Sequence, residues 1–132
     1  MPNKRELDRA EVERRVCWIS YKERRILQVD LSGLVGEEGI PCLDREAELM
    51  IQAGEKVLVL IDLTEAVANS AFMSHAKKLG KEVFMPNSER RAMIGVDGLR
   101  AVLVSTYSRF IGVGDIQKLF GTREQALEWL IS

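Results

Sequence analysis

The sequence predicts a single α/β domain with a mostly parallel, five-stranded sheet. The stretch VLVLIDL, from Val57 to Leu63, is apolar along nearly its whole length, as expected of a central strand covered on both faces. The stretches VCWISY and RILQVDL are rich in β-formers and flank the polar Lys22 to Arg24, which indicates a β-hairpin. Helix and strand patterns then alternate, which favours parallel strands joined by right-handed crossovers. The predicted order is ββαβαβαβα, with the first strand antiparallel at an edge and the helices packed on the sheet.

Length and composition fit one domain with its own hydrophobic core. The chain has 132 residues, of which 46% are hydrophobic and 30% charged, so a core of ordinary size can form without a metal or a disulfide. Residues 1 to 15 mix both charge signs and carry few large apolar groups, so they can bury little area even if they form a helix. We therefore expect a mobile lead-in over residues 1 to 15 and the folded domain over residues 16 to 132.

The first crossover helix is predicted from apolar residues at helical spacing. It should end at Gly54, and it must begin close to Pro41, because proline lacks the amide proton that a helix interior needs. Charged residues, Glu46 among them, lie between the apolar positions. Those positions are Ile40, Leu43, Ala47, Met50 and Ile51.

The second crossover helix should begin at Asn69 or Ser70, residue types that cap helices well. Met85 to Asn87, which include a proline, should end it. Its lysines, Lys77, Lys78 and Lys81, should face water. Its apolar face is expected to bury Phe72, Ala76, Leu79 and Val83.

The last third of the chain repeats the alternation of strand and helix. Ala92 to Val96 reads as a short buried strand, and Asp97 and Gly98 lead into a third helix that Gly112 and Gly114 end. Ile116 to Phe120 is the last predicted strand. The third helix should bury Leu99, Val102, Leu103, Thr106 and Phe110; the final helix, with Thr122 and Gln125 as a capping box, should bury Ala126, Leu127, Leu130 and Ile131.

Charge and hydropathy exclude two classes of partner. Nineteen basic and twenty acidic residues give a net charge of -1, a field too weak to hold a phosphate backbone, so we expect no nucleic-acid binding. The longest apolar run, Val57 to Ile61, is far shorter than the roughly 20 residues of a membrane span.

Cys17 and Cys42 lack metal-binding spacing and are expected to be reduced thiols. These features predict a cytoplasmic protein.

Four segments together resemble the SpoIIAA-like family, relatives of the STAS domains of anti-sigma-factor antagonists. The segments are YKERRILQVDLSGL, VLVLIDLT, AMIGVDGLRAVLVSTYSRF and FGTREQALEWL, and the likeness covers residues 16 to 132. The resemblance implies a small α/β domain for regulation or recognition, with sister folds that bind proteins, nucleotides or lipids. It implies no enzymatic activity and no cofactor.

The resemblance also draws attention to Ser70. In the antagonists, a serine at the start of the helix after the central strand is phosphorylated, typically within an Asp-Ser-Ser-Gly sequence. Ser70 is the nearest match here, preceded by Ala68 and Asn69 in a different flanking pattern. A helix N-terminus would favour an added phosphate. The alternative, which we favour, is that Asn69 or Ser70 serves as an N-cap.

A second candidate site is the turn from Gly95 to Arg100, whose amides, together with Arg100, would suit a carboxylate or phosphate. In the alternative interpretation Gly95 and Gly98 allow tight turning and Asp97 caps the next helix. We favour the alternative, because the charge of Asp97 would repel an anion.

Other polar and aromatic residues have simpler interpretations. His75 is the only histidine, so no zinc site is expected, and it should lie partly exposed at the surface. Asp30 and Asp62 fall near strand ends, where they would either bond loop amides, which we favour, or act together in acid–base or magnesium chemistry. Trp18 and Trp129 could anchor an interface, but large aromatic side chains in so small a domain usually fill the core; of the two, Trp18, on an edge element, is the better interface candidate.

The leading functional prediction is a regulatory or interaction domain without catalysis. It would dock a protein partner, with a second copy of the chain as one candidate, through the face at the ends of the strands and the helix that begins near Ser70. The alternative is a carrier that binds a lipid or nucleotide near Gly95 to Arg100. An enzymatic function would require Asp30 and Asp62 to converge in a cleft.

Overall fold

The computed structural model describes residues 6–97 and 115–132, and it contains a five-stranded sheet in the order β1-β2-β3-β4-β5. The edge strand β1 pairs antiparallel with β2, and every other neighbouring pair is parallel. The predicted fold class and antiparallel edge strand are therefore confirmed. The strands are β1 (Val16–Tyr21), β2 (Arg24–Asp30), β3 (Val57–Asp62), β4 (Ser88–Ile94) and β5 (Gln117–Phe120).

Helices cover both faces of the sheet. Alternate side chains of β3 point to opposite faces: Val59 belongs to an apolar cluster with α1, α2 and α3, whereas Leu60 packs in a second cluster under α5. A 3₁₀ turn, Gly36–Gly39, precedes α2, and a π-helical turn, Gly80–Phe84, joins α3 to α4. The helices are α1 (Arg9–Arg15), α2 (Ile40–Ala53), α3 (Ser70–Leu79), α4 (Met85–Asn87) and α5 (Arg123–Ile131).

The central strand β3 is covered as predicted. Every residue from Val57 to Ile61 is buried, and β3 has β2 on one side and β4 on the other. The loop that follows β3 lies at the carboxyl end of the sheet and leads into α3. No described helix is long and apolar enough to span a bilayer.

The first helix after the hairpin, α2, begins at Ile40, which places Pro41 in its first turn, where the missing amide proton costs nothing. It ends at Gly54, whose φ of 67° is the left-handed conformation that glycine adopts readily. Two positions differ from the prediction: Ile51 is exposed, and the charged Glu46 is buried. Glu46 is tolerated in the interior because it meets the cation Arg91 there.

The fourth strand begins four residues before the predicted Ala92 and ends at Ile94, not Val96. Its polar start lies outside the predicted strand, yet Ser88 and Arg91 are both buried and hydrogen-bonded to each other. The predicted helix end near Met85–Asn87 is confirmed, because the helical segment that starts at Ser70 runs to Asn87. The predicted third helix, from Leu99 to Phe110, and its stop at Gly112 and Gly114 lie outside the described residues.

The charged segment in front of β1 contains the helix α1. Asp8 caps it through its side chain, and the apolar Leu7 and Val12 pack against the core. Arg15, its last residue, donates hydrogen bonds to the carbonyl oxygens of Asp30 and Ser32 at 3.2 and 2.9 Å. Arg15 thus attaches the end of α1 to the carboxyl end of β2.

Candidate docking site at the carboxyl end of the sheet

The loops after β2 and β3 run side by side beyond the end of the sheet. The amide of Leu31 donates to Asp62 O at 2.9 Å, and that of Gly33 donates to Thr64 O at 2.9 Å. Further out, the amide of Val67 donates to Leu34 O at 2.9 Å. We call residues 31–36 and 63–71 the strand-end face. Its backbone hydrogen bonds hold the two loops in a fixed relation.

Asp30 and Asp62 organise the beginnings of these loops in the same way. Asp30 Oδ1 accepts hydrogen bonds from the amide and the hydroxyl of Ser32, at 2.9 and 2.6 Å. Asp62 Oδ1 accepts the equivalent pair from Thr64, at 2.9 and 2.6 Å. The prediction that these strand-end aspartates bond loop amides is confirmed.

The same two aspartates are also register partners on neighbouring parallel strands. This convergence was not predicted, although the repeated triplets Asp30-Leu31-Ser32 and Asp62-Leu63-Thr64 would have revealed it once both strands were taken as parallel neighbours. One carboxylate oxygen of each is committed to its turn, and Arg15 lies 3.7 Å from Asp30 Oδ1. The arrangement is that of two turn-forming side chains.

Gly95 owes its identity to close packing against the strand-end face. Its φ is 80°, and a Cβ built on it would lie 2.2 Å from Thr64 Oγ1, 2.5 Å from Thr64 N and 2.7 Å from Thr64 Cα. The adjacent Ile94 O accepts a hydrogen bond from the amide of Leu63 at 2.9 Å. Gly95 is therefore required for the turn itself. The other members of the proposed anion site, Gly98 and Arg100, lie outside the described residues.

Asn69, and not Ser70, is the N-cap of α3. Its Oδ1 accepts a hydrogen bond from the amide of Phe72 at 2.9 Å, and its Nδ2 packs so closely on Gly36 that a Cβ there would lie 2.7 Å away. Ser70 is the first residue of the helix, is exposed, and makes no side-chain hydrogen bond within the described residues. The cap thus ties the start of α3 to the loop after β2.

Two exposed apolar side chains stand beside this cap. Val35 and Val67 pair as an isolated parallel β-bridge, and they are 55% and 56% exposed. Register partners project to the same side of a ladder, so the two side chains form one apolar patch, which the exposed Ala68 and Ala71 extend along the chain. Sequence reasoning missed this patch, because neither valine lies in a predicted strand or helix and only the pairing of the two loops brings them together.

The remaining candidates lie elsewhere. His75 on α3 is partly exposed, as predicted, and its Nε2 is 2.6 Å from Asp44 Oδ1 on α2. Trp129 packs against Phe120, with ring centroids 5.3 Å apart. Trp18 lies midway along β1, paired with Leu27 of β2, and the guanidinium of Arg25 covers its ring. Within residues 6–97 and 115–132, no three acidic, histidine or cysteine side chains are grouped as metal ligands.

Arg91 on β4 and Glu46 on α2 form a buried ion pair, with Nη1 and Oε2 2.8 Å apart. Arg91 also donates to Ser88 Oγ and Gln117 Oε1, both at 3.2 Å. Burial raises the pKa of Glu46, and the adjacent Arg91 cation opposes that rise. The cluster joins α2, β4 and β5, and its side chains are buried. Its role is therefore structural.

Comparison with known proteins places this architecture. No protein-family model and no curated protein matches the sequence. Among solved structures, the chain is similar to an uncharacterized protein of the DUF3478 family with a SpoIIAA-like fold, from Shewanella loihica PV-4, at a TM-score of 0.68 and 21% sequence identity. The match covers 87% of this chain and 91% of that one. The chain is an α/β domain with a SpoIIAA-like fold, as the sequence resemblance implied.

Proposed function

We propose that this chain is a regulatory or interaction domain that binds a protein partner through the strand-end face and the N-terminus of α3, in the cytoplasm and without catalysis. The observation that carries the proposal is the exposed pair Val35 and Val67. The SpoIIAA-like fold, which is typical of regulatory and binding domains, supports the same class of function.

The patch has the physical properties of an interface centre. Fully burying a valine removes apolar surface worth about 1.5 kcal/mol or more, and a pair of valines on adjacent loops would be buried together. The loops that carry them are held by backbone hydrogen bonds and by the cap that Asn69 provides, so little conformational entropy is lost on binding. A rigid, apolar, exposed patch favours docking of a folded protein surface.

Ser70 lies at the edge of this face and supplies a means of control. Its exposed hydroxyl is accessible to a kinase, and a phosphate there would be stabilised by the positive end of the α3 dipole. It would also add close to two negative charges next to the apolar patch. We therefore expect Ser70→Asp to weaken docking and Ser70→Ala to leave docking unchanged.

The test is affinity capture from cells with matched surface variants. Val67→Asp introduces a charge at the patch and should reduce capture of a specific partner about tenfold or more. The control is Ile51→Asp, which changes another exposed apolar residue. Ile51 is 62% exposed and lies near the C-terminal end of α2, about 16 Å along the helix from its first residue, Ile40. Both variants should keep the far-UV circular dichroism of the native chain.

Gel filtration separates the two kinds of partner. A dimer of the native chain that Val67→Asp dissociates would identify the partner as a second copy. The proposal fails if the native chain is a monomer that captures nothing, or if Val67→Asp and Ile51→Asp capture the same proteins equally.

The alternative, a lipid or nucleotide carrier at Gly95 to Arg100, remains a prediction. Gly95 gives it no support, because packing against Thr64 already accounts for glycine there. Native mass spectrometry of protein purified from cells is the test: a carrier should retain a small ligand, and Arg100→Ala should release it.

A further inference from the structure

A groove lies at the opposite end of the sheet from the strand-end face, where β2, β3 and β4 begin. Its volume is about 250 Å³, below the size of a typical drug-sized ligand site and adequate for a side chain. The buried Val57 and Leu58 form part of its lining. The other lining residues are polar or aromatic: Trp18, Arg24, Arg25, Glu55, Lys56 and Glu89.

Arg25 is the residue of this groove best suited to bind an oxyanion. Its guanidinium carbon lies 3.8 Å from the centroid of the Trp18 ring, so the side chain is supported by a cation–π contact. It makes no hydrogen bond or ion pair with any residue that the structure describes. A guanidinium whose face contacts a ring still has its in-plane N–H donors available for a two-pronged acceptor, such as a carboxylate.

The other charged residues favour a ligand with one negative charge. Lys56, also exposed, has no ionic partner in the described part of the chain, whereas Arg24 is 4.0 Å from Glu89. Three cations and two carboxylates line the groove, so it has one net positive charge. A carboxylate, with one negative charge, neutralises the groove. A dianionic phosphate would bring a second negative charge close to Glu55 and Glu89, which would repel it.

We propose that this groove binds the carboxylate side chain of an acidic peptide segment, with Arg25 as the bidentate donor, Lys56 as a second cation and Trp18 as the aromatic wall. It is a second interaction surface, separate from the strand-end face. The edge strand β1 passes beside it, which gives a role to the tryptophan that the sequence marks as an interface candidate.

The test is an NMR titration of the ¹⁵N-labelled chain. The probes are a capped five-residue alanine peptide with a central glutamate, the same peptide with glutamine, and inorganic phosphate. We expect the glutamate peptide to shift the indole signal of Trp18 and the amide signals of Arg25 and Lys56 in a saturable way, and the glutamine peptide to leave them unchanged. Arg25→Ala should weaken the binding about tenfold or more, and Arg25→Lys should recover only part of it.

The matched control is Lys78→Ala, which removes one positive charge from an exposed position on α3 and should leave the affinity unchanged. Arg25 is exposed, so its variants should fold normally, which the unshifted remainder of the spectrum would verify. The proposal is overturned if the two peptides behave alike, if Arg25→Ala binds as the native chain does, or if phosphate binds at the groove and the glutamate peptide does not.

Discussion

Replacing Gly95 with alanine tests how the strand-end face is built. Two costs combine in this variant. An alanine held at a φ of 80° is strained by about 1 kcal/mol, and its Cβ would lie 2.5 and 2.7 Å from the backbone N and Cα of Thr64. Thr64 Oγ1 can rotate away, but its backbone cannot move without disturbing the turn that Asp62 holds. Such overpacking costs about 1–3 kcal/mol, so we expect a total loss of about 2–4 kcal/mol.

Gly54→Ala is the matched control for this prediction. Gly54 has a similar φ of 67°, and nothing lies within 4 Å of a Cβ built on it, so only the conformational cost of about 1 kcal/mol applies. Urea unfolding followed by circular dichroism measures both free energies of unfolding. If Gly95→Ala cost no more than Gly54→Ala, the close contact with Thr64 would not be the reason for glycine at this position.

Three further predictions concern the interior, the hairpin and the thiols. Arg91→Met should cost about 3–5 kcal/mol of stability and raise the pKa of Glu46 further, so the stability of this variant should fall as the pH rises above 4.5. In urea unfolding, the double variant Arg91→Met with Glu46→Leu should lose less stability than the two single variants added together. The turn Lys22–Glu23 has two positive φ values, so Asn-Gly there should relieve strain and raise the free energy of unfolding by about 1 kcal/mol, even though it removes the exposed ion pair of Lys22 with Glu128; a thermal melt showing no gain would refute this. Because burial raises the pKa of Cys42 to about 11, a thiol reagent should modify only the partly exposed Cys17 in the native chain and both in urea.

The sequence allowed correct prediction of those features that local patterns determine. The uniform apolarity of Val57 to Ile61 placed the central strand, and Thr122 identified the start of the last helix, where its hydroxyl accepts a hydrogen bond from the amide of Gln125 at 3.1 Å. Pro41 and Gly54 marked the two ends of α2 for equally local reasons. Proline restricts the backbone at the start of the helix, and glycine readily adopts the left-handed conformation at its end.

Features that depend on register between distant segments were missed. The burial of Glu46 follows from Arg91, which is 45 residues further along the chain, and a polar stretch such as Ser88 to Arg91 reads as a strand only once this pairing is known. The patch of Val35 and Val67 likewise exists only because the loops after β2 and β3 pair with each other. The sequence could therefore direct attention to the carboxyl end of the sheet, but not to the individual residues that the two paired loops bring together there.

Site-specific photo-cross-linking in living cells tests docking at the strand-end face most directly. A photoreactive amino acid would replace Val67 in one variant and, as the matched exposed control, Ile51 in another. We predict a discrete cross-linked protein from position 67 that is absent from position 51. No adduct at position 67, or the same adducts from both positions, would contradict the account.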